Sequence, residues 1–142
     1  MRTHFDHEKL NVYQESLAFN EWVGGVLVAI TAKAAAKNQL DRAATSIPLN
    51  IAEGNGKFSG RDRARYFDIA RGSTVESAAC LDVLVSRKLI SKDEIEAAKQ
   101  QLVRIVSMLI GLLKHLGYSF ESSSSVVRED CGWEQEQEQE KE

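Results

Sequence analysis

Apolar residues recur at three- and four-residue intervals through most of this chain, the pattern of amphipathic helices; nowhere do they alternate as strand residues do. Four stretches carry the pattern. The first runs from about Leu10 to Ala35, with Tyr13, Leu17, Val23, Val26 or Leu27, and Ile30 as its apolar face. Gly24 and Gly25 fall inside it, each weakening a helix by roughly 1 kcal/mol relative to alanine; the pair predicts close backbone approach by a neighbour. The second runs from about Asn38 to Glu53 on Leu40, Ala43, Ala44, Ile47 and Ile51. Pro48 lies within it and predicts a kink, because proline has no N–H to donate and crowds the preceding turn. Gly54-Asn55-Gly56 should end it.

Ser59 is placed to cap a third helix, Gly60 to Lys88, whose apolar side reads Tyr66, Ile69, Ala70, Ser73, Ser77, Cys80, Leu81, Leu84 and Val85. Ser91 and Glu94 form a capping box for the fourth. Its seam of Ile95, Ala98, Leu102, Ile105, Leu109, Leu112 and Leu116 repeats at alternating intervals of three and four, and Gly117 stops it. Long helices joined by short connections predict an all-α, up-down-up-down antiparallel four-helix bundle over residues 1–117.

Charge divides the chain. Beyond Gly117, eight acidic residues face only Arg128 and Lys141, so of the total −3 the bundle segment holds +3. The stretch 118–142, with its serine run Ser122–Ser125 and alternating Glu-Gln end, has too little apolar content to offset its ordering entropy and predicts a disordered acidic tail. It reads first as a solubilising extension; an acidic interaction arm or a mimic of nucleic-acid charge are the alternatives, with Trp133 the one residue able to anchor a contact. Two cysteines, Cys80 and Cys131, make no disulfide framework and fit a reducing, cytoplasmic setting. The longest uncharged apolar runs, Trp22–Ala32 and Ile105–Leu113, fall short of the ~20 residues of a membrane span. No pattern of a secretory signal peptide opens the chain.

The second helix also carries a polar stripe. Gln39, Arg42, Ser46, Asn50 and Glu53 are spaced by three and four and lie beside the apolar face. A solvated face, a buried network fixing register or oligomer state, or a ligand site would each produce such a row. The absence of the usual Lys/Glu mixture favours the network. Gly72, Ser73 and Glu76 on the third helix are its candidate partners, the two small residues allowing a close crossing and Glu76 offering a carboxylate to Arg42.

Together, Gln39-Leu40-x-Arg42-Ala43-Ala44-x-Ser46-Ile47-x-x-Asn50-Ile51-Ala52-Glu53-Gly54, the later Ile69-Ala70-Arg71-Gly72-Ser73-x-x-Glu76 and the early Leu10-x-Val12-Tyr13-Gln14-x-Ser16 resemble one known family. It is the four-helix-bundle family related to the S23 ribosomal protein, which includes proteins encoded in intervening sequences of bacterial 23S rRNA genes. The resemblance spans about Leu10 to Leu116 and leaves the acidic tail outside. The family is similar in fold to the accessory variability protein of diversity-generating retroelements, a pentameric bundle that binds nucleic acid and a reverse transcriptase. The resemblance therefore implies a homopentamer and assigns no catalytic role to the stripe residues.

A nucleic-acid binder needs a basic patch. Lys57, Arg61, Arg63, Arg65 and Arg71 supply the best candidate, at the second connection and the start of the third helix. Arg61 and Arg65 share a face, Arg63 points away from it, and Asp62 and Asp68 dilute the cluster. Cations near a helix N-terminus oppose its dipole, which suggests a reason for them other than stability. Other chemistry has less support. His4 and His7, beside Asp6 and Glu8, have metal-compatible spacing but sit on a terminus expected to fray. His115 complements the end of the fourth helix, and Cys80 reads as inert core. Gly54-x-Gly56-x-x-x-Gly60 lacks both the lysine and the preceding strand of a phosphate loop. The sequence thus predicts no enzyme and no cofactor. It predicts an oligomeric bundle that is either a nucleic-acid-associated accessory factor or a scaffold for protein partners alone.

Overall fold

The structure, a computed structural model, describes residues 3–119. The acidic segment from residue 120 onward, with Trp133 and Cys131, lies outside the described residues. A single 3-10 turn, Asp6–Lys9, precedes four helices: α1, Asn11–Ala29; α2, Ala35–Asn55; α3, Gly60–Ser86; and α4, Lys92–His115. Each packs against its neighbour in sequence, and α4 closes onto α1. Connections of only four or five residues keep consecutive helices antiparallel, so the fold is the up-down-up-down bundle. Among the described residues there is no strand, and no helix is long and apolar enough to cross a membrane.

Local chemistry sets the helix ends. Ser59 Oγ accepts the Asp62 N–H at 3.1 Å, and Ser91 Oγ accepts that of Glu94 at 3.2 Å. Gly117 adopts φ +97°, and the N–H of Tyr118 reaches back to the Leu113 carbonyl at 3.1 Å, closing α4 in a left-handed C-terminal turn. α1 ends well before Ala35: Ile30 turns extended, at φ −85° and ψ 102°. Its carbonyl accepts the Lys37 ammonium, and α2 begins at Ala35, earlier than the sequence suggested.

The core is built on Phe19, Leu40, Ile47, Ile51, Phe67, Leu81, Leu84, Ile105 and Leu109. α2 presents the face expected of it. α1 does so only in part: Val23, Val26 and Ile30 are buried as expected, but earlier in the helix Val12, Ser16 and Phe19 face inward, while Leu17 is exposed and Tyr13 only half-buried. The inward set is itself spaced by four and three, and Ser16 hides it from a hydropathy reading. That serine is buried because its hydroxyl donates to the Tyr13 carbonyl at 2.7 Å. On α3, Phe67 is buried and Tyr66 stands half out. At the end of α4 the seam drifts from Leu112 to Leu113, as a straight helix of 3.6 residues per turn must drift against a seven-residue repeat. Gly24 and Gly25 meet no neighbour: a Cβ added at either would find nothing within 4 Å, because both lie on the outer face of α1.

Pro48 is buried within an α2 that continues through it. Lacking an N–H, Pro48 gives nothing to the Ala44 carbonyl one turn earlier. Asn20 of α1 fills the gap: its Nδ2 donates to Ala44 O at 2.8 Å and to Ser16 O at 2.9 Å. An unpaired buried carbonyl costs ~1–3 kcal/mol, so this amide both satisfies the proline's consequence and fixes α1 against α2. Asn20→Leu should lower the unfolding free energy by ~1–3 kcal/mol, and by less than half as much in a Pro48→Ala background, where a backbone N–H returns to Ala44. Urea unfolding of the four proteins of that cycle measures the coupling. Equal losses in both backgrounds would show that Asn20 acts elsewhere.

Candidate functional site

The polar stripe of α2 faces α3 along one side of the bundle. Ser46 Oγ and Ser73 Oγ lie 2.8 Å apart, and Asn50 Nδ2 donates to Ser46 O at 2.8 Å and Ser46 Oγ at 2.9 Å. These three residues form a small network across the helix pair, with Ser73 buried and Ser46 and Asn50 half-buried. The outer members, Gln39, Arg42, Glu53, Gly72 and Glu76, are exposed. The anticipated Arg42–Glu76 pair is not formed. The Gln39 amide donates to Glu76 instead, and Arg42 stands in solvent without an ion pair among the described residues. Glu53 pairs with Lys57 at 3.7 Å.

Gly72 is not the point of close crossing, since a Cβ there would meet nothing within 4 Å. That role belongs to Gly54, where an added Cβ would lie 3.0 Å from Phe67 Cδ1 and Cε1 and 3.0 Å from Tyr66 Cβ. The last turn of α2 therefore rests directly on α3, and the connection 56–59 leaves the bundle from a rigid base. Gly56 N–H bonds the Ala52 carbonyl at 3.1 Å, and Lys57 N–H bonds that of Gly54 at 3.2 Å.

The basic candidates gather at this end of the bundle but have different fates. Lys57 Nζ lies 5.1 Å from the Tyr66 ring centre and Arg65 Cζ lies 5.8 Å from it, so both cations use one aromatic ring. Arg71 is drawn to Asp68 at 3.1 Å. Arg63 turns inward, as the helical register implied. Its guanidinium reaches Asn55 Oδ1 at 3.4 Å, and its Nε is buried with no partner among the described residues. Asn55 in turn donates to Asp6 at 3.0 Å, tying the 3-10 turn to this end. Arg61 is exposed. With Arg65 it lines a shallow groove of about 620 Å³ alongside Asp62, Asp68, Leu113 and Tyr118.

Sequence reasoning missed the aromatic residues. Phe58 is fully exposed, its relative accessibility reaching 105%. Its position just after Gly54-Asn55-Gly56, off both flanking apolar stripes, was the available signal. Tyr66 and Tyr118, read as core face and tail, here border the basic residues.

The remaining candidates have structural partners. His4 and His7 have contacts with the 3-10 turn and α1: the Glu8 carboxylate accepts the N–H groups of His4 and Phe5, each at 2.6 Å, and the His7 ring packs edge-on to Tyr13 at 4.7 Å. Those backbone donors, Phe5 first, hold the Glu8 carboxyl below its ordinary pKa. No group of three or more metal-ligating side chains occurs among the described residues. Cys80 is buried, and desolvation, with the nearby Glu76 charge, raises its thiol pKa.

A family model described as 23S rRNA-intervening sequence protein matches residues 8–111. The chain belongs to that family. The matched region takes in the helix pair, the polar stripe and the whole basic connection. A solved structure described as a protein with unknown function from the S23 ribosomal protein family of Bacteroides thetaiotaomicron is similar, with a TM-score of 0.69 and 24% identity. The likeness covers 72% of this chain and 98% of that one, and at this identity it concerns the fold. No curated protein matches the chain.

Gly54→Ala tests the close contact that positions the connection. Forcing a methyl against Phe67 should lower the unfolding free energy by ~1–3 kcal/mol and shift the amide resonances of Lys57 and Tyr66. Unchanged stability and spectra would mean that α2 does not rest on α3 at this point.

Proposed function

We propose that this member of the 23S rRNA-intervening sequence protein family is a non-enzymatic, cytoplasmic, oligomeric accessory factor that contacts RNA through the α2–α3 end of its bundle. The observation that carries the reading is the grouping of Lys57 and Arg65 over the Tyr66 ring, with Arg61 and Phe58 beside them in solvent. Basic side chains interleaved with aromatic ones suit a polyanion that also offers flat bases. Of the five cations, Lys57 and Arg71 are partly neutralised by Glu53 and Asp68. Arg63 is turned inward, so Arg61 and Arg65 are the main phosphate contacts in this reading.

Self-assembly is the second part of the proposal, with a homopentamer as the form the family resemblance implies. It is supported by the outer face of α2 and α3, where Leu49 and Ile69 are 59% and 42% exposed at positions next to Asn50 and one turn before Ser73. In a ring, the modest patch of one subunit is repeated about the axis and gains by multivalency. The same apolar face favours a second reading, a scaffold for protein partners alone, in which the acidic segment keeps nucleic acid away.

Arg61→Glu combined with Arg65→Glu separates the readings. RNA affinity should fall at least tenfold at ~0.1 M salt, with a shallower dependence of log K on log salt, measured by fluorescence anisotropy. RNA binding that survives the change unaltered removes this patch as the site, and no binding by the native chain leaves the scaffold. Asn50→Leu should change the assembly mass by light scattering while helical circular dichroism stays constant. An unchanged mass excludes the stripe from the subunit interface.

A further inference from the structure

We propose that Phe58 is a stacking platform for an unpaired base, so that the chain takes single-stranded nucleic acid in preference to a duplex. This rests on the RNA-contact reading above and names the form of its ligand. The ring of Phe58 stands entirely in solvent, although an exposed phenyl group is unfavourable in water. It is also held on an ordered support. The connection 56–59 is fixed on one side by the Gly56 and Lys57 N–H bonds to α2 and on the other by the Ser59 cap of α3, at 3.1 Å. The Lys57 ammonium is held over Tyr66. The ring's exposure is thus imposed by a short, bonded turn.

The charges around it fit a strand whose bases are splayed. Lys57 precedes the ring directly, and Arg61 and Arg65 follow it on successive turns of α3, with Asp62 the one acidic residue between them. A base stacked on Phe58 would carry its flanking phosphates toward these cations, which is the arrangement single-strand binders use. A duplex offers no free base face, because its bases are already stacked, and would present only phosphates to the same cations. Groove-lining Tyr118 lies beside Arg61 and Arg65 and offers a second ring to the next base.

The test uses the full chain, a fluorescein-labelled 12-nucleotide RNA of mixed sequence, the same strand annealed to its complement, and DNA of the same sequence to separate the two nucleic acids. Phe58→Ala should weaken single-strand binding roughly five- to fiftyfold with an unchanged salt slope, and leave duplex binding within about twofold. Phe58→Trp should retain single-strand affinity, and its fluorescence should be quenched on adding the strand. Because the ring touches no core residue, the thermal melt of both variants should match that of the native chain. Equal effects on single strand and duplex, or none, with the Arg61/Arg65 dependence intact, would overturn the stacking role and leave the RNA-contact reading standing. Absence of binding by the native chain would overturn both. A change in assembly mass in Phe58→Ala would assign the ring to contact between copies instead.

Discussion

The close approach of α2 to α3 is the constraint on which the rest of the molecule depends. Small residues mark it: Ser46 on α2 meets Ser73 on α3, and Gly54 lies against Phe67, where an added methyl would sit 3.0 Å from the ring. Paired hydroxyls at Ser46 and Ser73 replace two aliphatic chains that would hold the helices apart. Short side chains contribute little buried area each, so the stability of the pair comes from the larger residues, Ile47, Ile51, Phe67, Leu81 and Leu84, that line the same helices on the side of the core. The tight seam fixes where the chain turns between them, and therefore where Lys57, Phe58 and Arg61 are displayed.

A second constraint ties α1 to this pair. A proline in the middle of α2 leaves a carbonyl that only another element can satisfy, and Asn20 reaches across to do so. Thr74 and Ser77 are bonded within α3, to the Ala70 and Ser73 carbonyls, each at 2.8 Å. The Asn20 bond joins α1 to α2, as the Ser46–Ser73 pair joins α2 to α3. It selects one rotation of α1, which places Val12, Phe19 and Val23 inward and Leu17 outward.

That rotation explains how much of the fold was legible. The helix number, the caps at Ser59 and Ser91, the apolar faces of α2 and α4 and the bundle topology follow from spacing, because each rests on local chemistry or a long apolar repeat. The first half of α1 was misread by one position because a buried serine broke the repeat, whereas Val23, Val26 and Ile30 are buried as expected. Tyr66 was taken for core although the adjacent Phe67 holds that place, because neighbouring aromatic residues leave the phase of a helical stripe open. At the candidate site, the residues of the stripe and the basic patch were legible as types. Their pairing was not: Glu76 bonding Gln39, or two cations sharing Tyr66, depends on side-chain reach across the helix pair. Phe58 escaped notice because an aromatic residue in a turn has no periodicity to betray its exposure.

In the proposed reading, the turn between two tightly packed helices displays Lys57, Phe58, Arg61 and Arg65 to a flexible strand, with a charge modest enough that binding would be reversible. Mapping the backbone amide shifts of the full chain on adding an unlabelled single-stranded RNA tests this account most directly. The account predicts that the largest changes fall on residues 56–66, around Phe58, Arg61 and Arg65, with the outer α2 stripe between Gln39 and Asn50 little affected. Shifts confined to that stripe, or none at all, would contradict it.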